Sequence, residues 1–150
     1  MDRGEMAAKN FREGYNCAQS LVLAFADILP IDTPTLLRFA SPFGGGMGRL
    51  REACGAVTGM FMVLGLLNGY EAPAEDEKKA ELYRNVQDVA LAFQREHGSL
   101  ICRDLLGLPE GPDAPQPEKR TDAYYARRPC EELVRDAARI LDAQIQSLRM

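Results

Sequence analysis

The stretch Leu50-Arg51-Glu52-Ala53-Cys54-Gly55-Ala56-Val57-Thr58-Gly59-Met60-Phe61-Met62-Val63-Leu64-Gly65-Leu66-Leu67 decides the fold. From Ala53 onward it is almost wholly small or apolar, and it is longer than an ordinary strand. A helix apolar on all sides belongs in an interior. This segment, about Leu50 to Leu67, is therefore expected to be the buried central helix of an all-α, single-domain, multi-helix bundle. Gly55 and Gly59 stand one turn apart and leave a small face on which a neighbouring helix can close.

Before it, Pro42-Phe43-Gly44-Gly45-Gly46-Met47-Gly48 holds too much glycine for a stable helix or strand interior and reads as a loop. Earlier still, Thr33-Pro34 is a helix-opening pair for a short helix through Phe39. The apolar positions Ala8, Phe11, Tyr15, Ala18, Val22, Phe25 and Leu29 form a helical stripe. Gly14 divides that stripe, with Asn16 capping a second piece that begins at Cys17.

After the central segment, Asn68-Gly69 and Pro73 mark a turn. Ala74 to Glu96 then reads as an amphipathic helix with Tyr83, Val86, Ala90 and Phe93 inward, stopped by Gly98. Ser99 caps a short helix, Leu100 to Leu106, that carries Cys102. Leu108 to Lys119, with Pro109, Pro112, Pro115 and Pro117, is expected as an irregular internal connection. The last helix follows Pro129 and shows Leu133, Val134, Ala137, Leu141, Ile145 and Leu148 on one stripe.

The 150 residues fit one domain, and 46% hydrophobic with 27% charged residues is a globular composition. A net charge of -4 gives no global basic field for a phosphate backbone, so nucleic acid is excluded as a partner. Met1-Asp2-Arg3-Gly4-Glu5 opens no signal peptide, and no apolar run suffices to span a bilayer. The expectation is a cytoplasmic protein without membrane insertion, and the apolar central helix leaves a homodimer open.

With one histidine, His97, and no tryptophan, chemistry falls to four cysteines, Cys17, Cys54, Cys102 and Cys130. In a reducing compartment they are expected to be reactive, metal-binding or buried rather than permanent disulfides. Their spacing contains no C-x-x-C. Cys17, Cys102 and Cys130 each fall in the first turn of an expected helix, and Cys54 lies early in a fourth. Unpaired amides and the positive end of the helix dipole there favour thiolate. If these helix starts converge, the site suits thiolates, an iron-sulfur cluster or a bound anion.

Gly44, Gly45, Gly46 and Gly55 are candidates to cradle an anion, although no nucleotide fingerprint is complete. The loop also lets the backbone pass tightly beside Cys54. Arg49, Arg51 and Arg103 are candidates to stabilise sulfur charge, and Glu13 and Glu52 to carry protons. Met60 and Met62 are core positions.

Cys54-Gly55-Ala56-Val57-Thr58-Gly59, Gly14-Tyr15-Asn16-Cys17-Ala18 and the Gly-Gly-Gly-Met-Gly run, together with Cys102 and Cys130, resemble the C_GCAxxG_C_C family. The family name spells glycine before cysteine, whereas here Ala53 precedes Cys54 and Gly55 follows it. The resemblance implies a redox-active domain with four characteristic cysteines, often encoded beside transporter genes, whose activity is undefined. A related region in split-Soret cytochromes implies that cluster binding is open to the domain. The C-x-x-C-H haem attachment is absent, so haem does not carry over.

Two redox chemistries stay open: a dithiol/disulfide couple acting as oxidoreductase, and an iron-sulfur electron carrier held by all four cysteines, each with an unknown redox partner. For thiol chemistry, Cys54 is the first partner and Cys17 the first choice to pair with it. The alternatives are a non-catalytic ligand- or partner-binding domain, serving a transporter, with structural cysteines, and a zinc held by all four.

Overall fold

The computed structural model describes residues 1–148 and is all-α. Its helices are α1 (Arg3–Arg12), α2 (Cys17–Leu23), α3 (Thr33–Ala40), α4 (Gly55–Asn68), α5 (Asp76–His97), α6 (Cys102–Leu106), α7 (Asp122–Arg127) and α8 (Cys130–Leu148). No strand forms among the described residues, and none of their helices is long and apolar enough to cross a membrane.

Local chemistry sets these boundaries. Gly14 (φ 108) breaks the first stripe, and the Asn16 side chain accepts from the Gln19 amide while Gln19 returns the bond. That capping box starts α2 at Cys17. Asp32 rather than Thr33 caps α3, which puts Pro34 in the first turn. Gly98 (φ 86) ends α5 in the left-handed conformation.

The central helix is shorter than the sequence suggests. It begins at Gly55, not Leu50, because residues 52–54 run extended alongside residues 100–102. The Cys54 amide donates to the Leu100 carbonyl at 2.8 Å and the Cys102 amide to the Glu52 carbonyl at 2.6 Å. Nor is it buried on all sides. Ala56, Val57, Met60, Val63 and Leu64 are enclosed, while Met62, Gly65 and Leu66 line an apolar groove with Phe39 of α3.

α4 packs among α2, α5 and α8, and α1 lies along α8 with Glu5 between Arg135 (3.0 Å) and Arg139 (3.2 Å). The core is built on Phe11, Leu21, Phe25, Met60, Leu64, Phe93 and Leu141, all fully enclosed. Tyr83, expected inward on α5, is exposed, and Leu82 is the residue packed on the core there. Leu148, expected on the α8 stripe, is partly exposed at its end.

The glycine run is not an irregular loop. Gly45, Gly46, Met47, Gly48 and Arg49 have φ of 68, 66, 70, 65 and 67°, and the Gly48 amide closes on the Gly44 carbonyl at 2.9 Å. This is one turn of left-handed helix. Such a turn costs roughly 1–2 kcal/mol for each residue that has a Cβ, which accounts for glycine at three of the five positions.

Candidate functional site

The four cysteines stand at the starts of four helices: Cys17, Cys102 and Cys130 are the first residues of α2, α6 and α8, and Cys54 is the N-cap of α4. α6 begins at Cys102 rather than Leu100. The Ser99 hydroxyl accepts from the Ile101 amide and so acts just before the helix. All four helix starts converge on one cavity of about 60 Å3, which all four thiols line. Every pair of these sulfurs is close enough for each to feel the other's charge.

Glycines bring the helix starts together. A Cβ on Gly55 would lie 2.9 Å from the Ala18 nitrogen and 3.0 Å from the Cys17 Cβ, so α4 starts directly on α2. One on Gly46 would lie 2.5 Å from the Cys102 Cβ. The glycine turn therefore passes beside Cys102, and the Phe43 carbonyl just before it lies 3.0 Å from where a Cβ on Gly55, next to Cys54, would stand. The extended pairing of residues 52–54 with 100–102 brings the starts of the Cys54 and Cys102 helices together.

The thiols are chemically unequal. Cys17 and Cys130 act on each other's proton, and this pairing holds the Cys130 pKa below the usual thiol value and raises that of Cys17 well above it. Burial opposes the effect at Cys130, and the charges of Arg128, Arg120 and Arg51 support it. Burial pushes the Cys54 thiol up to about 12, against the Ala56 and Val57 amides that act on its sulfur. Burial also raises Cys102, despite Arg51 Nη1 donating to its sulfur at 3.5 Å. Cys17 thus stands near both candidates, Cys130 through the coupling of their protons and Cys54 through the close approach of Gly55 to the Cys17 Cβ.

Of the arginines singled out in the sequence, Arg51 lines the cavity, and Arg49 lies at its mouth. Arg103 pairs with Glu52 at 2.6 Å instead. Neither Glu52 nor Glu13 lines the cavity, and among the described residues no carboxylate does. Gly45, Gly46 and Gly55 line it, and Gly44 lines the adjoining mouth.

Arg120, Tyr124 and Arg128 line both the cavity and its mouth, and sequence reasoning passed over them. Arg128, two residues before Cys130, meets the same nearness to cysteine that singled out Arg49, Arg51 and Arg103. Arg120 carried no such signal, because only folding brings it against Phe11, with its guanidinium 4.3 Å from the ring centroid.

Residues 107–121 contain no helix and run over this mouth. They are held by Arg51 to Asp113 (2.7 Å), Arg49 to the Ala114 carbonyl (2.6 Å), and Glu118 to Arg127 (2.6 Å) and Arg128.

A metal or cluster can be tested against this donor set. A tetrahedral zinc with bonds of about 2.3 Å needs sulfurs about 3.8 Å apart. Among the described residues no three of these sulfurs lie within 4.8 Å of one another, so the thiols as folded do not close on a single ion. An iron-sulfur cluster spreads its ligands more widely. Four thiols, four amide-rich helix starts and three guanidiniums suit its negative charge.

The fold and this site define a class: a compact α-helical protein with a single four-cysteine centre. Residues 15–144 match the family described as "Putative redox-active protein (C_GCAxxG_C_C)", and the chain belongs to that family. No curated protein and no solved structure matches it.

Proposed function

We propose that the chain is a dithiol/disulfide redox protein in which Cys130 is the nucleophile and Cys17 the resolving thiol. The observation that carries this is the shared cavity: Cys17 and Cys130 line it from the starts of two helices packed on each other, with Arg120, Arg128 and Arg51 facing the same space. Thiolate is the reactive form, and a neighbouring thiol in direct contact is what disulfide closure requires. Cys54 and Cys102 keep their protons in this reading and fill the cavity wall.

Stoichiometric mild oxidant followed by peptide mapping tests the pairing. The expected product is a Cys17–Cys130 link with two thiols remaining. Full retention of four reactive thiols, or a link between other cysteines, would overturn it.

The convergence of all four sulfurs on one cavity favours a second reading, in which Cys17, Cys54, Cys102 and Cys130 hold an iron-sulfur cluster. Such a cluster supplies one-electron transfer when bound. The helix-start amides and Arg51, Arg120 and Arg128 would stabilise its negative charge. Anaerobic reconstitution with iron and sulfide separates the readings. Stable visible absorption lost in each single cysteine variant supports the cluster, and a colourless, iron-free product rejects it.

A further inference from the structure

The mouth of the thiol cavity has a charge that the dithiol chemistry does not use. A depression of about 190 Å3 opens over the cavity and shares Asn16, Gly45, Arg51, Arg120, Tyr124 and Arg128 with it. It adds Arg49 and Glu118. Four guanidiniums thus converge on a space that one carboxylate enters, and among the described residues Asp113 is the other anion that they pair with, through Arg49 and Arg51.

These are not loose surface cations. The Arg51 and Arg128 side chains are 5% and 10% exposed. Arg120 donates to the Phe11 and Tyr15 carbonyls at 3.0 and 3.1 Å and to the Tyr125 hydroxyl at 3.5 Å, so none of its hydrogen bonds goes to a carboxylate. Stacking against Phe11 and Tyr124 fixes its plane beside the mouth. Even with Cys130 as thiolate, positive charge exceeds negative around the opening. Once a disulfide removes that thiolate, the excess grows.

The opening is also narrow. It is smaller than the roughly 300–1,000 Å3 of sites for drug-sized ligands, and Cys130 behind it is only 7% exposed. A disulfide embedded in a folded protein cannot bring its sulfur to Cys130 through such a passage.

We propose that this vestibule selects low-molecular-weight disulfides carrying carboxylate groups as substrates of the Cys130–Cys17 pair. The proposal rests on the dithiol reading and adds the substrate class. The Cys130 thiolate attacks one sulfur of R–S–S–R, the S–S bond breaks, and R–S⁻ leaves through the arginine-lined mouth. Cys17 then gives up its proton and attacks the Cys130 sulfur, releasing the second R–S⁻ and closing Cys17–Cys130. Two electrons pass from the protein to the substrate. The proton from Cys17 and the one earlier lost by Cys130 complete two R–SH.

The test uses the reduced full chain in stopped flow with three disulfides of similar length: 3,3′-dithiodipropionate (dianionic), bis(2-hydroxyethyl) disulfide (neutral) and cystamine (dicationic). Each rate is divided by that of 1-thioglycerol, a neutral thiol that forms half of none of the three, with the same disulfide, which removes intrinsic reactivity. The dianion is expected to react at least about tenfold faster than the neutral compound, and the dication slower, with the preference shrinking as salt rises. Arg49→Gln and Arg120→Gln should each lower the dianion-to-neutral ratio. Reading the salt dependence on the unaltered chain keeps the test intact if a variant fails to fold. Equal normalised rates for all three disulfides would overturn the substrate class and leave the dithiol reading standing. Inertness of the native protein towards all three, with reaction only after denaturation, would overturn the dithiol reading itself.

Discussion

Arg51 donates to the Cys102 sulfur at 3.5 Å through Nη1 and to Asp113 at 2.7 Å through Nε, so one buried guanidinium joins the thiol cavity to the segment crossing its mouth. Arg51→Gln removes the charge from both. The expected cost is about 1–3 kcal/mol, mostly from the buried side, because Asp113 is 41% exposed and its share is screened. The variant should also react more slowly at Cys102 with iodoacetamide, since the charge that favours its thiolate is gone. Urea denaturation and site-resolved alkylation measure the two effects.

Gly46 touches Cys102 so closely that no side chain fits between them. Gly46→Ala would set a Cβ 2.5 Å from the Cys102 Cβ and 2.8 Å from the Arg51 Cα, at a φ of +66°. Overpacking and left-handed strain together predict a loss of roughly 2–5 kcal/mol. Gly107 has the same φ of +66° and nothing within 4 Å, so Gly107→Ala should cost only the backbone part, roughly 1–2 kcal/mol. Equal urea midpoints for the two variants would show that the close approach to Cys102 carries no weight.

What the sequence displayed was whatever depends on neighbours along the chain. The break at Gly14, the Asn16 cap and the helix-start positions of Cys17, Cys102 and Cys130 follow from residues within a turn of each other. The extended run before Gly55 did not show, because it exists through pairing with residues 100–102, nearly fifty positions away. The left-handed turn was hidden because glycine permits every backbone state and so announces none. α7 escaped notice between prolines, and with it Tyr124, which lines the cavity. The convergence of Cys17 and Cys130 on one cavity depends on the packing of α2 against α8, helices far apart in the chain, and no local pattern encodes it.

The unequal thiols predict a pH signature of opposite signs. Cys54 is raised to about 12, so the folded state prefers its proton. That contribution is full below the unfolded value near 9 and is lost as pH climbs from about 9 towards 12. Cys130 is lowered, so its contribution is present above the unfolded value and is lost as pH falls through the folded one. The unaltered chain should therefore lose stability above pH 9 more steeply than Cys54→Ala, measured by urea midpoints from pH 7 to 10.5. At pH 7, Cys130 should be the first thiol alkylated.

The approach of α4 to α2 gives a way to move Cys17 relative to Cys130 without removing a sulfur. Gly55→Ala would place a Cβ 2.9 Å from the Ala18 nitrogen and 3.0 Å from the Cys17 Cβ, contacts with no flexible side-chain end to yield. Overpacking costs about 1–3 kcal/mol, while replacing a helical glycine by alanine returns up to about 1 kcal/mol. The net loss is small enough for the chain to stay folded. The start of α2 must then shift, moving Cys17 relative to Cys130, which is held separately at the start of α8. Gly55→Ala should keep its helical circular dichroism, form the Cys17–Cys130 disulfide more slowly under mild oxidant, and react at Cys130 only at higher pH. An unchanged disulfide rate in a folded Gly55→Ala protein would mean that the spacing of α2 and α4 does not set the geometry of the pair.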